Sequence, residues 1–497
     1  MAAVTEKFSM SLAALLNRAD LDASLRVSGL CMDSRKVTSG DLFIALPGED
    51  SDGRDYIEQA LENGAFAVLA ESGDGRSLPV VQSSSPLLQQ EGISEQLGDL
   101  ALRFYGEYSA DLSVIGITGT NGKTTCSFIL SQLLNRLGMP CSVMGTLGYG
   151  VPGELKDTGL TTPDVMAIHR AMAEVRQGGA QALVVEVSSH ALDQNRIAGV
   201  RFDTAVFTNL SHDHLDYHGD MHSYFLCKAK LFQLPGLQCA VVNFDDKFGR
   251  TLLANMSPEV TSWAYSASDP ASDIYMRNMQ FTAVGIRGEL VTPWGEGKLI
   301  CNLLGRFNLM NILAAIAVLG ASGYAIAEIL ALLPEVEAAP GRMQVVSSDG
   351  PLVLVDYAHT PDALEQLLQT CRDHTQGQMW LVFGCGGDRD QSKREPMGRI
   401  ATQYADRIVI TNDNPRNENP QQIIDEILLG ITAVDKILVH SDRAEAIAVA
   451  IKEAEPEDCV VLAGKGHEDY QEIAGNRIAF DDVVQARQCL ALRRASR

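Results

Sequence analysis

Apolar and polar positions along this chain recur in one unit: a short apolar run, a polar turn, then an amphipathic stretch. From Gly29 to about Gly106 the runs LFIAL, FAVLA and PVVQ predict strands and DYIEQALENG predicts a helix, which together make an α/β unit. A polar joint, GEYSAD (106–111), separates this unit from a second series. There SVIGIT, ALVVEVSS, DTAVFTNL and CAVVNFD predict strands, and TTCSFILSQLLNRL predicts a helix. Strands that are apolar nearly throughout belong to a parallel sheet covered by helices on both faces. At a second joint, EVEAAPGRMQ (335–344), Pro340 and Gly341 stop the preceding helix. The runs PLVLVDYA, MWLVFG, DRIVIT, KILVH and CVVLAGKG then predict a third α/β block. Ligands gather at the C-terminal ends of parallel strands. The polar tails GCGGDRDQSK, TNDNPR and AGKGHEDY each follow such a strand, so the three are expected to face one cleft.

Length and charge narrow the class. At roughly 150 residues per domain, 497 residues predict three domains and several separate cores. A formal charge of -23 argues against non-specific binding to nucleic acid or to an acidic membrane. Anionic ligands stay admissible, because helix N-termini and local cations hold phosphates inside acidic proteins. The ten cysteines form no CxxC pair and are expected to be reduced and mostly buried. No apolar block of signal-peptide or membrane-spanning kind occurs, so the expectation is a cytoplasmic protein without membrane insertion.

The strongest chemical signal is VIGITGTNGKTT (114–125), lying between a predicted strand and a predicted helix. Its glycines let backbone N–H groups curl around phosphate, Lys123 supplies a cation, and the Thr124 hydroxyl can ligate a phosphate-bound magnesium ion. The spacing is GxxGxxGKT, not the strict GxxxxGK[ST]. Downstream, EVSSH (186–190) and TNLSHDHLDYHGDMH (208–222) place His190, His212, His214, His218 and His222 beside Glu186, Asp213 and Asp216. Zinc is one reading, but cysteine partners and HExxH are absent; magnesium held by an acidic residue and substrate phosphates is another. In a third reading the histidines cap helices or bond within the loop. Lys228 and Lys230 follow on the predicted helix YFLCKAKLF, and spacing does not rank one above the other.

Read together, GTNGKTT, EVSSH, HDHLDYHGDM with its downstream AK, GRFNLMN, DYAHTPDAL, GCGGDRDQSKR, DNPR and AGKGHEDYQ resemble the Mur ligases, in order and over nearly the whole chain. The resemblance implies an α/β protein of three domains: a UDP-MurNAc-binding domain (1–108), a central P-loop parallel-sheet domain that binds ATP (109–339), and a C-terminal Rossmann-like domain for the incoming amino acid (340–497). It also implies that Gly119, Thr120, Asn121, Gly122, Lys123, Thr124 and Thr125 bind ATP, together with Asn311, Arg342, Asp356 and Lys393. The magnesium set it implies is Thr124, Glu186, His214 and Lys228, the last as a carbamylated lysine, with Lys123, Lys228, His214 and Glu186 as the catalytic group. Met32, Ser34, Thr161, Thr162, Ser188, Gln194 and Arg196 are implied for the UDP-MurNAc-dipeptide. Two positions depart from the family pattern: Leu160 before TTP, and Ala191 after SSH.

The implied reaction is ATP-driven addition of meso-diaminopimelate to the D-Glu carboxylate of UDP-MurNAc-L-Ala-D-Glu, through an acyl phosphate, in peptidoglycan precursor synthesis. The partners implied are these small molecules alone, acting on a monomer. Arg416 in DNPR can grip the distal carboxylate of diaminopimelate through two parallel N–H bonds, whereas lysine would bring a cation to a cation. Asp413 and Asn414 are expected to accept from the distal ammonium, Pro415 to stiffen the turn, and Arg389, Gly464 and Glu468 to complete the contacts. The rival readings are a folate-extending or other ligase of the same superfamily, and a nucleotide-dependent switch ATPase.

Overall fold

Most of the apolar runs become strands in the computed structural model, which describes residues 8–48, 51–78, 85–282, 284–432 and 437–495. The run PVVQ lies outside the described residues, as does Lys436 of KILVH. The chain packs as two units, Met1–Ala264 and Tyr265–Arg497. Among the described residues no helix is long and apolar enough to cross a membrane.

After a short antiparallel pair, Met10–Ser11 with Arg26–Val27, the first unit forms a four-stranded parallel sheet of Gly29–Cys31, Asp41–Ala45, Ala67–Glu71 and Leu87–Gln90. The joint GEYSAD is more than a linker, since Tyr108–Asp111 winds into a helical turn. A seven-stranded sheet follows, in the order Thr261–Tyr265, Cys239–Asn243, Thr204–Phe207, Ser113–Thr118, Ala182–Glu186, Cys141–Gly145, Gly148–Gly150. Ser113–Thr118 lies parallel between Ala182–Glu186 and Thr204–Phe207, so the phosphate-loop motif leaves the sheet from its middle. Val114, Leu183, Val185, Ala205 and Phe207 fill the core on one side. Each of the larger side chains among these, the valines, Leu183 and Phe207, contributes about 1.5–3 kcal/mol by its burial.

In the second unit, Tyr275–Thr282, Gly285–Thr292 and Gly295–Cys301 form an antiparallel sheet that the apolar-run pattern did not predict. Its strands alternate buried and exposed positions, as one-sided antiparallel strands do. The larger sheet has the order Gln344–Ser347, Leu352–Asp356, Cys459–Ala463, Met379–Phe383, Arg407–Ile410, Ile437–Val439, parallel after its first pair. Helices Pro361–His374, Arg394–Tyr404 and Pro420–Leu428 cover one face through Leu364, Met397 and Ile423. Helices Arg443–Glu453 and Asp482–Ala495 cover the other through Ile447 and Ala486. The three strands whose polar tails were expected to share a cleft are neighbours in this sheet. All ten cysteines are free and seven are buried. Burial pushes the Cys126, Cys141 and Cys385 thiols up to about 12, which keeps them protonated and unreactive.

Candidate active site

The phosphate loop runs from Thr118 into the helix Lys123–Arg136. Gly119 adopts φ +148° with Thr208 Oγ1 2.0 Å from where a Cβ would stand, so only glycine fits there. The loop is pinned to the segment after Phe207: Thr120 N–H donates to Asn209 O at 2.9 Å and Asn121 N–H to Asn209 Oδ1 at 2.9 Å. Those two amides are therefore used within the protein. The first helical bond, Cys126 N–H to Gly122 O at 2.8 Å, leaves the N-terminal donors of this helix ahead of it. Lys123 folds back, its Nζ donating to Gly119 O and Thr120 O, both at 2.8 Å.

Tertiary structure separates the two lysines that spacing left equal. Lys228, in the last turn of the helix Met221–Ala229, is 1% exposed and donates to the same Gly119 oxygen at 3.0 Å. Its Nζ lies 4.5 Å from the centre of the Tyr224 ring. Burial, reinforced by the nearby charge of Lys123, holds the Lys228 ammonium well below the usual lysine range. Lys230, two residues on and facing elsewhere, is half exposed and pairs with Asp193 at 2.8 Å.

The histidines divide as well. His190, His214 and His218 gather, with ring centres 4.9 Å apart for His190 and His214 and 5.6 Å for His190 and His218. His218 stacks on Tyr224 and bonds to Ser189 Oγ at 2.9 Å. His214 adopts φ +54° and makes its contacts to His190 and Asp213. His212 and His222 are exposed, and the His222 N–H is capped by Asp220. Among the described residues no three His, Cys, Asp or Glu side chains assemble as a metal cluster.

Glu186 ends its strand 1% exposed and faces the loop. Its Oε2 accepts from Thr124 Oγ1 at 2.8 Å and Thr146 Oγ1 at 3.1 Å, while Oε1 accepts from Thr146 N–H at 3.1 Å. Most of the residues expected to hold the sugar nucleotide are joined to this strand end. Thr162 Oγ1 donates to Glu186 O at 2.8 Å and accepts from Ser188 N–H at 3.0 Å. Arg196 donates to Thr162 O at 3.0 Å and to Gln194 Oε1, and Thr161 Oγ1 lies 3.1 Å from Thr146 Oγ1. Ser34 is buried and donates to Gln59 Oε1 at 2.7 Å, and Met32 packs on the core of the first sheet. Lys36 draws that segment toward the Thr161 loop by donating to Thr158 O at 3.3 Å. Leu160 is half exposed; Ala191 sits within the helix Ser189–Asp193, where no glycine is required.

In the second unit, Asp356 accepts from Met343 N–H at 2.7 Å and Ala358 N–H at 2.8 Å, fixing the tail of its strand. Arg342 lies 5.0 Å from the Tyr357 ring centre, its buried Nε without a hydrogen-bond partner among the described residues. Lys393 donates to His359 O at 2.9 Å, and Asn311 is buried on the helix Arg306–Ala321. His467, to which no role was assigned from the sequence, has its ring 5.1 Å from Tyr357, and its Nδ1 is buried and unpartnered among the described residues.

The three strand tails meet. Gly387 N–H donates to Asn414 O at 2.9 Å, and a Cβ on Gly464 would lie 2.7 Å from Asp413 Oδ2. Arg416, at φ +50°, donates from Nη1 to Gly387 O at 2.7 Å and stands 3.6 Å from Glu472. Pro415 is buried beside it, and Arg389 is exposed next to Gly386. Asn414 Oδ1 accepts from Lys465 Nζ at 3.1 Å and Glu472 N–H at 3.0 Å, which uses both of its lone pairs. Asn414 Nδ2 donates to Glu468 Oε2 at 2.7 Å. Burial pushes the Asp413 carboxyl up against the pull of Arg443 and Lys465. Lys465 was not singled out from the sequence; its one signal was a lysine between two glycines at the end of an apolar strand.

Family models match the chain in three consecutive segments: the Mur ligase family catalytic domain at 26–105, the Mur ligase middle domain at 117–319 and the Mur ligase glutamate ligase domain at 341–466. The UDP-N-acetylmuramoyl-L-alanyl-D-glutamate–2,6-diaminopimelate ligase of Pseudomonas putida is 48% identical over 97% of this chain and 98% of its own. The chain belongs to the Mur ligase family. Ligases of the same name from Pseudomonas aeruginosa and Coxiella burnetii are 49% and 47% identical over 97% and 95% of this chain. A solved structure of a ligase of that name is 36% identical, with a TM-score of 0.71 over 98% of this chain and 99% of its own. MurF from Acinetobacter baumannii, 20% identical with a TM-score of 0.65 over 92% of this chain and 96% of its own, shares the fold. The protein thus has the three-domain Mur ligase architecture, with parallel sheets in α/β layers.

Proposed function

We propose that this Mur ligase joins meso-diaminopimelate to the D-Glu carboxylate of UDP-MurNAc-L-Ala-D-Glu, converting ATP to ADP and phosphate. The observation that carries the reading is the pocket where the tails of three neighbouring strands converge. There the Arg416 guanidinium lies on the same turn as the Asp413 carboxylate, with Glu468 bonded to the intervening Asn414. This pocket offers a cation and anions to a substrate end that carries both a carboxylate and an ammonium. The relatives named for the same reaction support it over nearly the full chain. A folate-extending enzyme has no use for such a pocket, and a switch ATPase would turn over without either co-substrate.

A carboxylate does not condense with an amine in water unaided. Transfer of the γ-phosphoryl group of ATP to the D-Glu carboxylate gives an acyl phosphate, and the amine then attacks the acyl carbon and expels phosphate. In this reading the N-terminal donors of the helix Lys123–Arg136 and the Lys123 ammonium hold the transferring phosphates. The Thr124 hydroxyl and Glu186 carboxylate, 2.8 Å apart, are hard oxygen donors that suit magnesium. Magnesium, when bound there, would neutralise phosphate oxygens; His214 is assigned to the same set by family likeness alone. Arg342, Asp356, Asn311 and Lys393 are assigned to the nucleotide, and the Thr161, Thr162, Ser188, Gln194 and Arg196 cluster, with Met32 and Ser34, to the UDP-MurNAc-dipeptide. Lys228, buried and shifted toward its neutral amine, can attack carbon dioxide and lose a proton, becoming a carbamate anion.

Enzyme, ATP, magnesium and UDP-MurNAc-dipeptide, offered diaminopimelate and lysine in equal amounts, should give the diaminopimelate product by mass spectrometry with one ADP per amide. Equal incorporation of lysine, or ADP release without the dipeptide, would overturn the reading.

A further inference from the structure

Lys465 is fully buried, and a buried ammonium persists only with partners. Among the described residues, each of its hydrogen-bond and ion-pair partners belongs to the pocket just described. Its Nζ donates to Asn414 Oδ1 and to Glu468 Oε2, both at 3.1 Å, lies 3.8 Å from Asp413 Oδ1, and sits 5.5 Å from the Tyr470 ring centre. We propose that Lys465 is a positioning residue that sets the amino-acid pocket to accept a single ammonium group, a refinement that rests on the ligase reading above.

Asp413 and Glu468 bring two negative charges to the pocket and Lys465 returns one positive charge; nearby, Arg443 and Asp482 offset each other through a buried pair at 2.6 Å, as do Arg416 and Glu472 at 3.6 Å. One negative charge is left over, which matches one ammonium. Without Lys465, two carboxylates would face each other at a buried site, where one of them takes a proton. Lys465 also occupies the Asn414 oxygen, so an incoming ammonium is directed to the carboxylates and not to the amide. The groups facing Asp413 are Lys465 and Glu468 from its neighbour strand's tail, Arg443 and Asp482 from the two helices behind, Tyr357 and His359 from the tail of Leu352–Asp356, and Cys385. Of these, Arg443 and Lys465 are the cations that favour its ionised form.

The test compares full-length Lys465→Met and Lys465→Arg with the wild type, measuring KM for each of the three substrates and the pH profile of kcat/KM for diaminopimelate. In Lys465→Met the KM for diaminopimelate should rise about 10- to 100-fold, the loss expected for a charge-assisted bond. The KM values for ATP and UDP-MurNAc-dipeptide should hold, and the acid limb should move to higher pH. Lys465→Arg should restore part of the affinity and bring the limb back. If Lys465→Met does not fold, Lys465→Gln, which keeps a donor for Asn414 and removes the charge, is read instead. Unchanged diaminopimelate KM, or a rise shared by all three substrates without a shifted limb, would overturn the role of Lys465 and leave the ligase reading standing. A wild type that forms no diaminopimelate product sinks the ligase reading itself.

Discussion

The phosphate-loop region and the amino-acid pocket each bury a lysine, and they treat it in opposite ways. Lys465 is enclosed by Asn414, Glu468 and Asp413, so its charge is matched by groups of the protein. Lys228 shares one carbonyl oxygen with Lys123, a like charge, and burial drives it toward the neutral amine. The matched lysine is the one proposed to set a pocket in advance of its ligand. The unmatched one is the amine that the proposed carbamylation would convert to an anion.

Breaking the contrast at Lys228 should have the largest effect. Lys228→Ala should lower kcat about 10²- to 10³-fold, the cost expected for losing a preorganised charged group that, as the proposed carbamate, would help hold magnesium at the transferring phosphate. In the wild type, removing bicarbonate and carbon dioxide from the assay should lower activity reversibly; an activity indifferent to both would leave Lys228 without its proposed carbamate. Next comes Arg416→Ala, which removes a charge-assisted pair worth roughly 1.5–3 kcal/mol and should raise the diaminopimelate KM about 10- to 100-fold while sparing ATP. Unchanged diaminopimelate kinetics would contradict the assignment. A smaller effect is expected from pH. Because burial raises the Asp413 carboxyl, it takes up its proton above the usual carboxylate range as pH falls, and the neutral acid no longer balances an ammonium. The diaminopimelate KM should therefore rise on acidification before the KM for ATP does, which initial-rate kinetics at several pH values will decide. Smallest of all is Lys230→Ala, which removes a half-exposed pair with Asp193 and should change stability by about 0–1 kcal/mol with kcat intact.

The parallel sheets were legible because their strands are apolar on both faces, as in SVIGIT and CVVLA, and so stand out as runs. The antiparallel sheet of residues 275–301 was not, since half of each strand faces water and no run forms. The site divides in the same way. Glycines and the lysine of the phosphate loop announce themselves by spacing, whereas Lys228 and Lys230 are told apart by burial and partners, which tertiary packing decides. The meeting of the three tails followed from strand order and was anticipated from their positions after strands. What sequence did not supply was that Asn414 spends its oxygen on Lys465 and Glu472, because the saturation of an acceptor is a property of its neighbours.

Arg416 is held by more than its own turn. Its N–H donates to Glu472 O at 2.9 Å and its carbonyl accepts from Ala474 N–H at 2.7 Å, so the exposed hairpin Tyr470–Ala479 clasps the residue by its main chain in a left-handed conformation. In the proposed reading, discrimination among amino acids is thereby tethered to a ribbon outside the pocket's contacting side chains. Nicking that ribbon, or threading a longer turn through Ala474–Gly475, would loosen the grip on the far end of the nucleophile with every contacting side chain still in place.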